Sequence, residues 1–383
     1  MERLYWTKPA LCELEVDVKT LNDNKVTIDP ILFHPDEGGQ PADKGTVGDA
    51  TVLSVDIVDG EIVLSLDKPL EDGRHMACLD REHRMHTASQ HSAQHILSGL
   101  AETRFGLKTV GVHIGLEKST VDLDTKIDWQ KAQSLERYAM DVVMENLVIE
   151  TLFNESAARS RFDLSDISSD LIRVVKIGQY DASACCGAHV QRTGDIGIIR
   201  VVDLETKKQG TRLSFMAGPK ALDFSQVETS VLKSLRKLSK CSTEELPDHL
   251  QKTLDRSAKL NKQVDGLYDM MLPSLVKTAI VVEIETSRIG IQVNALPTKL
   301  TGKLAALIAN HVDGTGVVVS RNTIFINSKT MMAKTLLQKL QNTAGGKGGG
   351  SPQAASGMLA SVLTSEQIVS ILKTPNSESA NPK

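Results

Sequence analysis

The sequence predicts a mixed α+β chain in four parts, and three observations carry that prediction. Up to about residue 80, short runs alternate apolar and polar residues, the period of a half-buried strand. From about Arg84 the apolar spacing becomes helical, and helices then alternate with short strands. From 219 to about 272 there is no β signal at all. The expected architecture is a small antiparallel β-barrel over 1–82, a two-layer α+β domain over 83–218, a helical hairpin over 219–272 and a small α/β domain over 273–373. Residues 374–383 are polar, contain Pro and Asn, and read as a disordered tail.

The elements follow in order. Cys12–Val18, Lys25–Ile28 and Glu61–Leu66 are strand-like, with turns marked by Asn22-Asp23-Asn24 and Asp59-Gly60. A helix runs from about Arg84 to Phe105, with Ile96, Leu97, Leu100 and Phe105 on its apolar side and Gly106 as its stop. A strand through Thr120–Leu123 and a second helix from about Asp128 to Asn146 come next. Leu147–Thr151, Arg173–Ile177, Ile196–Val202 and Thr211–Met216 are further strands. Leucines and valines at helical spacing on both sides of Pro247 give the hairpin. In the last part, 279–282 and 316–319 are strand-like, and 299–311 and 329–341 are amphipathic helices.

Of the 383 residues, 40% are apolar and 24% charged, which fits a globular domain protein. Aromatics are only 3%, so the cores must be built from aliphatic residues. No apolar run reaches the roughly 18 residues of a membrane span, and the first residues lack the pattern of a secretory leader. Five scattered cysteines do not make a disulfide framework, so a reducing, cytoplasmic location is expected. The net charge of −4 is uneven: −11 over residues 1–218 against +7 over 219–383. A basic C-terminal part suggests an anionic partner.

Two motifs carry chemistry. His91-Ser92-Ala93-Gln94-His95 lies in the first long helix, where positions i and i+4 share a face. Cys185-Cys186-Gly187-Ala188-His189 lies between apolar runs. Three imidazoles and one thiolate suit a single tetrahedral zinc ion per chain, with His91, His95, Cys185 and His189 as ligands. His83 and His86 fall off that face and read as surface or substrate-contact residues, and Cys186 as a small packing residue. The stretch from Phe33 to Gly45 is too polar and glycine-rich for a core strand, and Gly38-Gly39 permits positive φ. Near the end, Gly345–Gly350 carries Lys347 amid five glycines. A flexible linker is one reading, and a phosphate cradle is the preferred one. No strand–GxxxxGK[S/T]–helix order makes it a P-loop.

Together these segments resemble the free-standing alanyl-tRNA editing proteins, the AlaX family in its long form, and the editing half of alanyl-tRNA synthetase. The family's HTAxH-type motif is matched at His91–His95 and its CGGTH-type motif at Cys185–His189, continuing through Val190 to Gly197. Its GGGQPxDxG loop is matched at Glu37–Gly45, and the glycine-rich signature of the synthetase's C-terminal domain at Gly345–Gly350. Cys186, Ala188, Glu37 and Ser351 depart from the family pattern. No stretch resembles an aminoacylation core, so the resemblance is to a trans-acting editor.

The resemblance implies hydrolysis of the ester joining a wrong amino acid, serine and also glycine, to alanine tRNA. It makes residues 83–218 a zinc-binding editing domain. Gln40 is the candidate for positioning substrate or water. His113 either lines the serine pocket or is an ordinary strand residue. A site that hydrogen-bonds the serine hydroxyl leaves that partner unpaired when alanine enters, which disfavours the correct product. The basic C-terminal part is expected to hold the mischarged alanine tRNA through phosphates. Lys334, Lys339, Lys347, Gly348, Gly349 and Gly350 are its candidates, joined by Lys233, Arg236, Lys237 and Lys240 on the hairpin. The alternative role for the terminal domain is homodimerisation. A non-catalytic RNA-binding protein with a structural zinc is the rival reading. A metallopeptidase is disfavoured because the helix motif lacks the glutamate of His-Glu-x-x-His.

Overall fold

The computed structural model describes residues 2–22, 24–153 and 172–374. The chain divides into two compact units, 1–238 and 239–383. Of the tail expected over 374–383, residues 375–383 lie outside the described residues.

The first unit opens with a short helix α1 (Leu4–Thr7) and a closed barrel. Its strands are β1 (Glu13–Asn22), β2 (Lys25–Asp29), β3 (Gly45–Val47), β4 (Ala50–Val58), β5 (Glu61–Leu66) and β6 (Gly73–Leu79), in the order β1-β2-β5-β4-β3-β6. Every pairing in it is antiparallel. Alternation does the sorting: Val16 and Val18 point inward between exposed Glu15, Asp17 and Lys19-side positions, and they meet Val26, Ile28, Leu64 and Ala77 in one aliphatic core. The polar glycine segment lies between β2 and β3, outside the barrel wall.

Asp80 then caps α2 (Arg81–Phe105) by accepting from His83 N at 3.0 Å, and Gly106 at φ 64° ends it. A one-sided apolar stripe is the sequence expectation for this helix. Instead, every residue from Thr87 to Ala101 is buried, Ser89, Gln90, Ser92, Gln94 and Ser98 included. The helix is the centre of the domain. It packs against α3 (Trp129–Glu145), which is capped by Asp128, and on strands of the sheet β12-β13-β8-β7. Those strands are β7 (Thr109–His113), β8 (Ser119–Leu123), β12 (Ile199–Thr206) and β13 (Thr211–Ala217). A smaller antiparallel sheet, β11-β10-β9, is formed by β9 (Ile149–Phe153), β10 (Arg173–Ile177) and β11 (Asp181–Ala184). The sequence reading contains no counterpart of β11. The helices expected over 219–272 form as α4 (Pro219–Ser239) and α5 (Leu246–Lys277).

The second unit carries a six-stranded sheet in the order β14-β15-β16-β17-β19-β18. These are β14 (Ile280–Ile284), β15 (Ser287–Asn294), β16 (Thr315–Ser320), β17 (Thr323–Ser328), β18 (Gly346–Gly350) and β19 (Ala354–Leu359). Only β15 and β16 pair in parallel, joined through α6 (Thr298–Val312); α7 (Ala333–Ala344) and α8 (Ser365–Lys373) complete the unit. Ile289, Ile291, Val317, Val319, Leu336, Leu340 and Ile368 fill one core. The glycine-rich segment is therefore an edge strand, β18, and all five of its residues are exposed. A Cβ at Gly348 would lie 2.5 Å from Gly357 Cα and 2.9 Å from Gln341 Nε2, so close strand approach demands glycine there. Among the described residues, no helix is long and apolar enough to cross a membrane.

Candidate metal centre

The centre is assembled from α2 and the loop after β11. His91 and His95 leave one face of α2, and Cys185 and His189 come from the irregular segment that follows β11. The ligating atoms of all four lie within 4.8 Å of one another. Cys185 Sγ is 3.4 Å from His91 Nε2 and 3.2 Å from His189 Nε2. A tetrahedral ion with zinc–nitrogen and zinc–sulfur bonds sets such atoms about 3.3–3.6 Å apart. The donor set and its spacing thus fit a four-coordinate metal.

Each imidazole is held from behind through its other nitrogen. His91 Nδ1 lies 2.7 Å from Gln40 Oε1, His95 Nδ1 is 2.7 Å from Asp181 Oδ2, and His189 Nδ1 is 3.1 Å from Ser92 Oγ. Gln40 Oε1 also accepts from Ala188 N at 3.1 Å, which fixes the amide's orientation. The oxygen acceptors at Gln40 and Asp181 suit a proton on Nδ1 of His91 and of His95, which leaves Nε2 of each facing the centre for a metal. Gly187 is obligatory: a Cβ there would collide with the His91 ring and sit 2.5 Å from Gln40 Oε1.

The electrostatics agree with a thiolate at the centre. Burial raises the Cys185 thiol, but the imidazoles of His91, His189 and His95 outweigh it and hold the group well below its usual range. Burial keeps His189 neutral, driving it well below the ordinary imidazole value. Burial also opposes charge on His95, yet Cys185 and Asp181 prevail and push it up to about 10. A cation between these rings competes for that proton.

Behind the centre, Arg84 on α2 forms a buried two-pronged ion pair with Asp43 of the glycine segment, with Nε 2.8 Å from Oδ1. Asp43 also accepts from His34 N at 2.5 Å. His34 is fully buried, neither ring nitrogen has a partner among the described residues, and burial drives it down to about 3.

The structure therefore gathers His91, His95, Cys185 and His189 as the sequence motifs lead one to expect, and it adds Gln40 behind His91. Gln40 is fully buried, and its carbonyl is shared by His91 and Ala188. Its Nε2 has no partner among the described residues. His113 is exposed at the end of β7, opposite Thr120; its neighbour Ile114 donates to Gly39 O at 3.0 Å, which sets that strand end beside the glycine segment. His83 and His86 bond the carbonyls of Ala42 and Leu116 at 2.9 and 2.8 Å, fastening the start of α2 to two loops. Cys186 is exposed rather than packed. In the second unit, Lys334, Lys347, Gly348, Gly349 and Gly350 are exposed, whereas the Lys339 ammonium donates to the carbonyls of Leu372 and Thr374 at 2.9 and 2.5 Å. Asp181 and Ser92 stand outside the sequence reading because they meet their partners across 86 and 97 residues.

The family model for the threonyl and alanyl tRNA synthetase second additional domain matches residues 172–213, which hold Cys185 and His189. The DHHA1 domain model matches residues 275–378. Alanyl-tRNA editing protein Aarsd1 of Danio rerio is 35% identical over 246 residues, covering 61% of this chain and 59% of the relative. The chain is similar to alanyl-tRNA editing proteins. The Bos taurus Aarsd1 protein is 31% identical over 63% of this chain and 56% of its own length. The alanine–tRNA ligase of Methanococcoides burtonii is 26% identical over 93% of this chain and 42% of the ligase. This chain spans less than two thirds of each of these relatives. The resemblance read from the motifs is shown by these matches.

Proposed function

We propose that this chain is an aminoacyl-tRNA editing deacylase that removes serine, and with it glycine, from mischarged alanine tRNA at a zinc centre. The observation that carries the reading is the convergence of His91, His95, Cys185 and His189, with each ring held through Nδ1. Similarity to alanyl-tRNA editing proteins supplies the reaction class.

Zinc held by His91, His95, Cys185 and His189 would supply Lewis-acid stabilisation of the negative charge that develops in ester hydrolysis. The protein's own groups do the rest. Gln40, Asp181 and Ser92 keep the three imidazoles in place, so no side-chain reorganisation accompanies the reaction. The Cys185 thiolate offsets part of the cation's charge. The unpartnered Nε2 of Gln40 is the group of that residue left to meet substrate or water. His113, exposed beside the glycine segment, is the second candidate for substrate contact. Serine is distinguished from alanine by the hydrogen bond its hydroxyl makes in the site. Lys334, Lys347 and the exposed glycine edge at Gly348–Gly350 are proposed to meet tRNA phosphates.

A second reading, an RNA-binding protein with a structural zinc, is favoured by one feature: four protein ligands fill a tetrahedral ion. Metal analysis coupled to deacylation of Ser-, Gly- and Ala-tRNA(Ala) separates the two. Editing predicts zinc near one per chain, hydrolysis of the seryl ester, sparing of the alanyl ester, and loss of activity in Cys185→Ala. Equal hydrolysis by the wild type and Cys185→Ala rules out a zinc-dependent reaction. Zinc without hydrolysis leaves the structural reading.

A further inference from the structure

The segment from Cys185 to Val190 belongs to no helix or strand, so no ladder of backbone bonds holds its two ligands in register. Three of its carbonyls instead receive side-chain donors. Arg173 Nη1, on β10, donates to Cys185 O at 3.0 Å and to Gly187 O at 2.7 Å. Trp6 Nε1, on α1, donates to the carbonyl between them, Cys186 O, at 2.8 Å. Three successive carbonyls of the ligand loop thus end on two buried side chains, one of them 180 residues away. The two side chains also support each other, since the Arg173 guanidinium lies 5.4 Å from the Trp6 ring centroid. Cys185 N returns a bond to Arg173 O at 3.1 Å.

Arg173 is an unusual residue to bury. It is 5% exposed, and among the described residues it pairs with no carboxylate. A guanidinium in that position costs desolvation that neutral carbonyls offset only in part. The ionisable group nearest in effect is Cys185, whose thiolate opposes the influence of burial on Arg173. Both bonds leave the single Nη1, whose two in-plane N–H groups are set in direction by the guanidinium, while Nη2 lies 3.4 Å from Thr151 Oγ1.

We propose that Arg173 and Trp6 act as a clamp on the Cys185–His189 loop, positioning its two ligands and so setting how long the centre retains its metal. The inference rests on the zinc-binding reading above. Neither residue touches substrate in this account; both act through the loop.

The test measures zinc release to a chromogenic chelator from zinc-loaded wild type, Arg173→Met, Arg173→Lys and Trp6→Phe, together with the melting temperature of each after metal removal. Trp6→Phe removes the N–H while keeping one aromatic ring in the core, so it is the milder variant if Arg173→Met does not fold. The clamp predicts release at least about tenfold faster in Arg173→Met, a smaller acceleration in Trp6→Phe, and partial rescue in Arg173→Lys. The metal-free melting temperature of Arg173→Lys should stay at the wild-type value, and that of Trp6→Phe should fall only slightly, for the smaller ring it leaves in the core. Wild-type release rates in Arg173→Met and Trp6→Phe overturn the clamp and leave the zinc reading standing. Faster release matched by an equal drop in metal-free stability also overturns it, because the effect is then general destabilisation. A wild-type protein that holds no zinc sinks both.

Discussion

Gln40 Oε1 stands 2.7 Å from His91 Nδ1 and 3.1 Å from Ala188 N, so one buried amide ties the ligand helix to the ligand loop. Replacing it with leucine leaves two buried donors without a partner, at about 1–3 kcal/mol each. The His91 ring also loses the acceptor that fixes its proton on Nδ1. Zinc affinity of Gln40→Leu should fall about 10–100-fold, as for other groups that orient a metal-bound histidine. Gln40→Glu keeps an acceptor and should fall less. Competition with a chelator of known affinity reads both, and a leucine variant with wild-type affinity refutes the role.

The Arg84–Asp43 pair links the same helix to the glycine segment two turns before His91. Both side chains are buried, and Arg84 Nη2 also donates to Leu32 O at 2.9 Å. Arg84→Met strands a carboxylate in the interior, and such breaks cost about 3–5 kcal/mol. Denaturant unfolding at pH 7 should show that loss. Arg84→Met combined with Asp43→Leu should recover part of it, since the lone buried charge is gone. A double variant less stable than Arg84→Met contradicts the charge argument.

His34 gives the fold a pH dependence with a definite sign. Burial lowers its pKa to about 3, so the folded protein keeps it neutral down to that value. The unfolded chain takes up the proton near pH 6.5. Stability attributable to His34 is therefore complete above about pH 6.5 and is lost progressively as pH falls toward 3, by up to about 1.4 kcal/mol per pH unit. His34→Phe removes that slope, and the adjoining Tyr5 ring, edge-on at 5.2 Å, can pack on the new ring. The variant should gain on the wild type as pH drops from 7 to 5 in unfolding measurements. Parallel stability curves over that range exclude the effect.

What the sequence makes legible here is what lies close along the chain. His91 and His95 declare themselves by one helical turn, and Cys185 and His189 by the same spacing in a loop. Alternation at Val16 and Val18 gives the barrel. Asp181, Ser92, Trp6 and Arg173 carry no comparable signal, because each acts on a partner that only folding brings near. The four-residue strand β11, Asp181–Ala184, is too short and too small in its side chains for a pattern. The α2 helix misleads by its polar composition: Ser89, Gln90, Ser92 and Gln94 are buried because the centre and its supports are built inside the domain. Strand β18 misleads in the opposite sense. Five residues that are nearly all glycine have no strand propensity, and they become a strand through pairing with β19 at a separation that side chains at Gly348 would prevent.

That edge strand and α7 give the last prediction, which contrasts two lysines from the same basic region. Lys347 is exposed on β18, where backbone groups on the outer edge face solvent. The ammonium of Lys339 is already bound to the carbonyls of Leu372 and Thr374 at the end of α8, a natural use of a cation at a helix C-terminus. If β18 meets tRNA phosphates, Lys347→Ala should weaken tRNA binding and reduce the slope of log affinity against log salt by about 0.7–0.9, one phosphate's worth. Lys339→Ala should leave that slope unchanged and lower the melting temperature, because α8 loses the donor for its final carbonyls. Filter binding across a salt series, paired with thermal unfolding, distinguishes the two residues. An unaltered slope in Lys347→Ala removes β18 from the tRNA-binding surface, whereas a reduced slope in Lys339→Ala means that its ammonium leaves α8 for the nucleic acid.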